Sequence, residues 1–145
     1  MNWDNYFLDM VDLVASKSES RSKKVGAVVV GPDHEVRSTG YNGLPRGIED
    51  LDDRHIKPDR YMWMEHAERN AIYNAARCGI SLKGCTLYLS YYPCADCARG
   101  IIQVGITTIV IRQDSAAKDT WKSWANSIRV ATEMLVETGI KVRIV

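Results

Sequence analysis

The stretch "HAERNAIYNAARCGISLKGCTLYLSYYPCADCARGIIQVGITTIVI", residues 66–111, carries the pattern that decides the fold. Ala67, Ala71, Ile72, Ala75 and Ala76 recur on one helical face, and "CGI" at 78–80 closes that helix. "CTLYLS" at 85–90 then reads as a buried strand, 94–104 as a short helix and "ITTIVI" at 106–111 as a second strand. Helix and strand thus alternate at lengths that let each helix cover the sheet its neighbouring strands build.

Working outward, Trp3, Tyr6, Phe7, Met10, Val11 and Val14 recur at helical spacing and predict an opening amphipathic helix over 2–17. "VGAVVV" at 25–30, closed by "GPD", predicts a β-branched strand with "EVRSTGYNG" at 35–43 as its hairpin partner. The stretch 43–62, "GLPRGIEDLDDRHIKPDRYM", has no period and two prolines; it reads as a long loop, and long loops inside compact domains are usually functional. Downstream, Trp121, Trp124, Ile128, Ala131 and Leu135 predict a longer helix, and "IKVRIV" at 140–145 a last strand. A hairpin followed by β-α-β-α-β predicts an α/β sandwich, one mixed sheet of about five strands with helices on both faces. The 145 residues fit a single domain, 1–145, without repeats or Gly/Ser linkers. A chain of that length buries roughly 68–70% of its unfolded surface, so a metal is not required merely to hold it together.

With 19 basic and 18 acidic residues the formal net charge is +1, which gives no strong pull toward nucleic acid or membrane. A polynucleotide partner is not expected, because polymers normally demand a basic track. No apolar run is long enough to span a membrane, and "MNWDNYFLDM" is too acidic and polar for a signal peptide, so the cytoplasm is the expected compartment. There Cys78, Cys85, Cys94 and Cys97 stay reduced, which favours metal binding or plain burial over disulfides. Cys85 opens a strand and Cys78 ends a helix, and both read as structural.

Cys94 and Cys97 follow Pro93, and proline favours the first helical position, so the pair is expected in a helix's first turn. Unpaired N–H groups and the helix dipole there favour thiolates, and the C-x-x-C spacing puts both sulfurs on one face. Two thiolates leave a tetrahedral zinc short of ligands. His66 is the candidate third; His34 and His55 have no useful spacing to the pair. Residues two apart on a regular helix point to nearly opposite sides, so His66 and Glu68 reach one metal only at the helix entry, where the sequence puts them. A Cys₂His set keeps a fourth position open, the arrangement of catalytic zinc sites, and Glu68 is then the candidate proton shuttle.

The order H-x-E…P-C-x-x-C is the signature of zinc nucleobase deaminases. Here it stands as His66-Ala67-Glu68 and Pro93-Cys94-Ala95-Asp96-Cys97. Together with "VGAVVV", "STGYNGLPRG", "HAERNAI", "YPCADCARGIIQVGI" and "ETGIKV", the chain resembles the cytidine and deoxycytidylate deaminases over roughly residues 20–142. The resemblance implies a three-layer α/β/α fold, zinc chemistry, conversion of dCMP to dUMP, a small-molecule nucleotide as partner, and a homo-oligomer, either a hexamer or a dimer. It also implies that Asn42 binds the sugar and that backbone groups around Ala67 read the base edge. Some relatives hold a second, structural zinc in the loop corresponding to 43–62; this loop has His55 and no cysteine, so one zinc per chain is expected. The same divergence argues against regulation by dCTP and dTTP.

Arg46, Arg54, Lys57 and Arg60 lie in the loop beside Asn42 and are the candidate phosphate contacts, with Tyr91 and Tyr92 next to the cysteine motif as further ones. Arg69, Arg77 and the run Arg21, Lys23, Lys24 read as solvated surface, and Trp121 and Trp124 as core or subunit contact rather than base-stacking groups. A redox reading of the C-x-x-C pair lacks the thioredoxin-type βαβ context. Two alternatives stay open: a deaminase of another substrate (a nucleoside, guanine, or a base in tRNA or single-stranded DNA), and a noncatalytic zinc module. Glu68 separates the last from the rest, because a structural site has no use for a carboxylate beside an open position.

Overall fold

The computed structural model describes residues 1–116 and 119–145, with side chains placed outside 116–121. The elements are α1 (Trp3–Ser16), β1 (Gly26–Val30), β2 (Val36–Tyr41), α2 (Arg60–Trp63), α3 (Ala67–Cys78), β3 (Thr86–Leu89), α4 (Ala95–Gln103), β4 (Thr108–Ile111), α5 (Gln113–Ala116), α6 (Ala125–Thr138) and β5 (Lys141–Ile144). The strands form one five-stranded sheet in the order β2-β1-β3-β4-β5. β1 runs antiparallel to β2 and β3, whereas β3, β4 and β5 are parallel, so the sheet is mixed as the pattern predicts.

Strand alternation sorts the core into two clusters. Val28, Val30, Tyr88 and Val110 pack beneath Phe7, Leu8 and Val11 of α1. Their neighbours Ala27, Val29, Leu87, Leu89, Ile109 and Ile111 face the other side, against Ala71 and Ala75 of α3, Ile101 of α4 and Leu135 of α6. Central strands covered on both faces need apolar residues at every position, which is why β1, β3 and β4 read as continuous runs rather than alternating ones. Each Leu or Ile buried this way contributes about 1.5–3 kcal/mol. The result is an α/β/α sandwich of three layers, with α1 on one face and α3, α4 and α6 on the other.

Local chemistry fixes the helix ends. Asn2 caps α1 by accepting from the Asn5 N–H at 2.8 Å, and α3 stops at Gly79, whose φ of 68° lies in the left-handed region. α3 rests on the edge strand β2 through a close approach. A Cβ on Gly40 would stand 2.3 Å from the Ala71 nitrogen and 2.4 Å from the Ala67 carbonyl oxygen. Asn70 and Asn74 donate to the Tyr41 and Thr39 carbonyls at 2.8 and 2.7 Å, and the Ser38 hydroxyl donates to the Ala71 carbonyl at 2.6 Å. The first turns of α3 are therefore held by side chains on both partners.

Three expectations need correction. The loop 43–62 is not structureless: an antiparallel bridge between Gly43 and Glu65 closes it, and it holds a 3-10 turn at Asp52–His55 and the start of α2. Such turns satisfy their own backbone but are too short to show a period. The helix predicted from Trp121 begins at Ala125, after a 3-10 turn over Asp119–Trp124; an i, i+3 tryptophan pair suits either geometry. The Trp121 side chain lies outside the described residues. Finally, Cys85 is buried as expected but Cys78 is exposed. Among the described residues, no helix is long and apolar enough to cross a membrane.

Candidate active site

Two helix starts meet beyond the carboxyl end of β3. His66 is the N-cap of α3, with extended backbone (φ −86°, ψ 153°), and Glu68 sits one residue into the first turn. Because His66 stands outside the helix, the opposite-sides geometry of residues two apart does not apply, and both side chains line one cavity. Cys94 is the N-cap of α4 (φ −75°, ψ 173°) and Cys97 lies in its first turn. Pro93 precedes that N-cap instead of filling the first helical position, so it ends the strand connection rather than starting the helix. The Ser127 hydroxyl of α6 accepts from the Ala95 N–H at 2.8 Å, a cap that the Cys94 side chain does not supply.

The His66 Nδ1 lies 3.5 Å from the Cys94 Sγ and 3.4 Å from the Cys97 Sγ. The three donor atoms fall within 4.8 Å of one another, and this is the only such His/Cys/Asp/Glu group found among the described residues. Two soft sulfurs and an imidazole nitrogen fit zinc, and three protein donors are the number of a catalytic rather than a closed structural site. Cys94 is poised as a thiolate: the hydrogen bond from Cys97, followed by that from His66, outweighs burial and brings it down to about 4. The hydrogen bond with Cys94, and then burial, push the Cys97 thiol up. Glu68 is buried at 6% exposure; burial pushes its carboxyl up, against the pull of His66.

The cavity has a volume of about 390 Å³, within the range of small-molecule sites. His66, Glu68 and Cys94 line it, as do Asn42, Ala67 and Tyr92. Asn42 is heavily engaged. Its Oδ1 accepts from the Ser18 hydroxyl and the Val25 N–H, each at 2.8 Å, and its Nδ2 donates to the Lys23 carbonyl at 2.9 Å, which leaves one amide proton for a ligand. Tyr92 accepts from Thr132 of α6 at 3.0 Å through its hydroxyl.

The candidate cations divide. Lys57 and Arg60 line the cavity, but Arg46 does not: its guanidinium is turned to Asn74 Oδ1 at 2.6 Å, where α3 meets β2. Arg54 stacks over the Trp63 ring, 4.1 Å from the centroid. Lys23, read from sequence as solvated, is a wall residue whose ammonium lies 4.5 Å above the Tyr91 ring. Ser22 lines the cavity beside it and accepts from Arg60 at 2.6 Å. Arg69, also read as surface, is half-buried between the helix starts, bonded to Glu65 at 2.6 Å and 3.8 Å from Asp96. Trp124 belongs to the cavity wall rather than the core. No sequence spacing marks Ser22 or Lys23; their place follows from the antiparallel pairing of β1 with β3, which a motif search does not contain.

Residues 1–113 match the profile of the cytidine and deoxycytidylate deaminase zinc-binding region. A deaminase of uncharacterized activity from the luxG 3′ region of Aliivibrio fischeri is 34% identical over 140 residues, covering 97% of this chain and 91% of that protein. The deoxycytidylate deaminase of Mus musculus is 35% identical over 120 residues, covering 79% of this chain and 66% of its own length. Among solved structures, the dCMP deaminase of cyanophage S-TIM5 in complex with dCMP and dUMP superposes with a TM-score of 0.76 at 26% identity, over 97% of this chain and 95% of that one.

Proposed function

The chain belongs to the cytidine and deoxycytidylate deaminases, zinc-dependent hydrolytic enzymes, and from that premise we propose that it converts dCMP to dUMP and ammonia. One observation carries the choice of a nucleotide: Lys23, Lys57 and Arg60 line the same cavity as His66, Glu68 and Cys94. A base at the Cys₂His end and an anion at the cationic end describe a nucleoside monophosphate. Glu65, on the same wall, is bonded to Arg69.

His66, Cys94 and Cys97 would hold the zinc, one per chain, which supplies the Lewis acidity that makes water a nucleophile at neutral pH. Glu68 takes a proton from the attacking water and gives it to the ring N3 as the water oxygen bonds to C4; it then takes the second proton, from the new C4 hydroxyl, and gives it to N4, so that the C4–N4 bond breaks, the C4 carbonyl forms and ammonia leaves. The remaining Asn42 amide proton donates to a sugar hydroxyl, and first-turn N–H groups at Ala67 meet the base edge. Buried beside the donors, Glu68 also lines the cavity, where a bound base would meet it. A noncatalytic zinc module is disfavoured by the three-donor set with a carboxylate at its side.

The rest of the proposal is a single deaminase domain over 1–145, acting in the cytoplasm as a homo-oligomer. Ile56 and Met62, at 63% and 91% exposure on the loop, offer apolar surface for subunit contact.

The test compares dCMP with deoxycytidine. Arg60→Ala should lower kcat/KM for dCMP at least tenfold more than for deoxycytidine, since a charge-assisted phosphate contact contributes about 1.5–3 kcal/mol. Arg46→Ala should change neither. Equal wild-type activity on the two substrates refutes the nucleotide reading.

A further inference from the structure

We propose that Trp124, braced by Tyr61, is the wall on which the substrate's pyrimidine ring stacks; this rests on the dCMP reading above. Trp124 is the N-cap of α6, and its ring lies 5.8 Å from the His66 ring with the planes at 79°. On another side the Tyr61 ring, from α2, meets it at 5.7 Å and 83°. Edge-to-face contacts are the preferred geometry for aromatic pairs, and two of them restrict how the indole can turn. The indole is half-buried and lines the cavity, so the part that neither partner covers faces the space beside the metal ligands.

The rest of α6 repeats this orientation. Ile128, one turn on, lines the same cavity, and Thr132, a turn further, bonds the wall residue Tyr92. Positions four apart share a helix face, so Trp124 and Ile128 at the start of α6 present adjoining apolar side chains to the site. The lining also carries hydrogen-bonding and charged groups, among them Asn42, Lys23 and Glu68. A planar heterocycle whose edge is read by polar groups needs a flat apolar surface for its face, and Trp124 is the largest one beside His66. The 5.8 Å separation is too small for a ring to slip between indole and imidazole, so the base lies along the indole with its reactive edge toward Cys94 and Glu68.

Binding of dUMP to the zinc-loaded protein, measured by calorimetry, tests this alongside zinc content and tryptophan emission. Trp124→Ala should weaken dUMP binding roughly 5- to 150-fold, the equivalent of one lost base stack, with zinc content unchanged. Trp124→Phe should recover most of the affinity but lose the dUMP-induced change in tryptophan emission, which Trp3→Phe and Trp63→Phe should keep. Wild-type affinity in Trp124→Ala, or an unaltered emission change in Trp124→Phe, overturns the inference. Loss of zinc from Trp124→Ala also overturns it, because the indole would then be holding His66 rather than the base. Wild-type protein that neither binds dUMP nor deaminates dCMP overturns the nucleotide reading, and this inference with it.

Discussion

His66, Cys94 and Cys97 converge because two of them are N-caps and the third lies in a first turn, and a helix start is where backbone N–H groups lack partners. The convergence lets the Cys97 side chain, and after it His66, hold the Cys94 thiol down against burial, with the Cys97 backbone N–H of the first turn adding to them, and Arg69 bridges the two helix entries through Glu65 and Asp96. Removing a donor and removing the shuttle should therefore have separable effects. Cys97→Ala leaves two protein donors and should lose most of its zinc. Glu68→Gln should keep its zinc and its substrate affinity while kcat falls by about 10²- to 10⁴-fold, since a proton shuttle acts only in the transition state. Metal analysis beside steady-state rates checks both. Full zinc retention by Cys97→Ala sinks the ligand assignment, and near-normal turnover in Glu68→Gln reduces that residue to a helix-start carboxylate.

Between elements, α1 is tied to the sheet by Asp4 as well as by its apolar face. The Asp4 carboxylate accepts from Arg143 of β5 at 2.7 and 2.9 Å and from the Tyr88 hydroxyl of β3 at 3.0 Å. Arg143 chiefly, then Tyr88, hold Asp4 below its ordinary carboxylate range against the effect of burial. Burial first, and then Asp4, push the Tyr88 hydroxyl up to about 12. A carboxyl whose pKa is lowered by folding stabilises the protein above its unfolded value, about 3.9 for aspartate, and that stability is lost as the pH falls through the folded value. Asp4→Asn should therefore be less stable than wild type by about 1–2 kcal/mol at pH 7. That figure sits at the modest end because the carboxylate is 24% exposed. The gap should narrow as the pH falls below ~4, because the unfolded chain's carboxyl takes up its proton there first and the folded one follows below its lowered value. Denaturant unfolding at pH 7 and pH 3 measures it; an equal gap at both would show that the charge contributes nothing.

Across the whole molecule, the metal donors sit at the rim of a sheet whose two clusters are complete without them: Phe7, Val11 and Val110 on one face, Leu87, Ile109 and Leu135 on the other. Chelation should abolish deamination and lower Tm, yet leave the far-UV circular dichroism in place, because a core of this size does not need a metal to form. Collapse of the spectrum on chelation would make the zinc structural after all. The sequence by itself determined the layers and the chemistry. Apolar periods of β1, β3, β4, α1 and α3 are properties of neighbouring residues, and so are the spacings H-x-E and C-x-x-C, since both depend only on local backbone geometry. Tertiary structure alone decided which distant residues share the cavity. Because β1 is antiparallel to β3, Gly26 pairs with Ser90 through N–H to Oγ at 2.8 Å, and Ser22 and Lys23 are carried to the cysteine motif. The closure of the 43–62 loop by Gly43 and Glu65 goes with Arg60 and Tyr61 lining the cavity while Arg46 bonds Asn74 where α3 meets β2. Trp124, periodic with the core, became wall for a related reason: period says which residues share a side of a helix, and only the packing of that helix says what lies opposite.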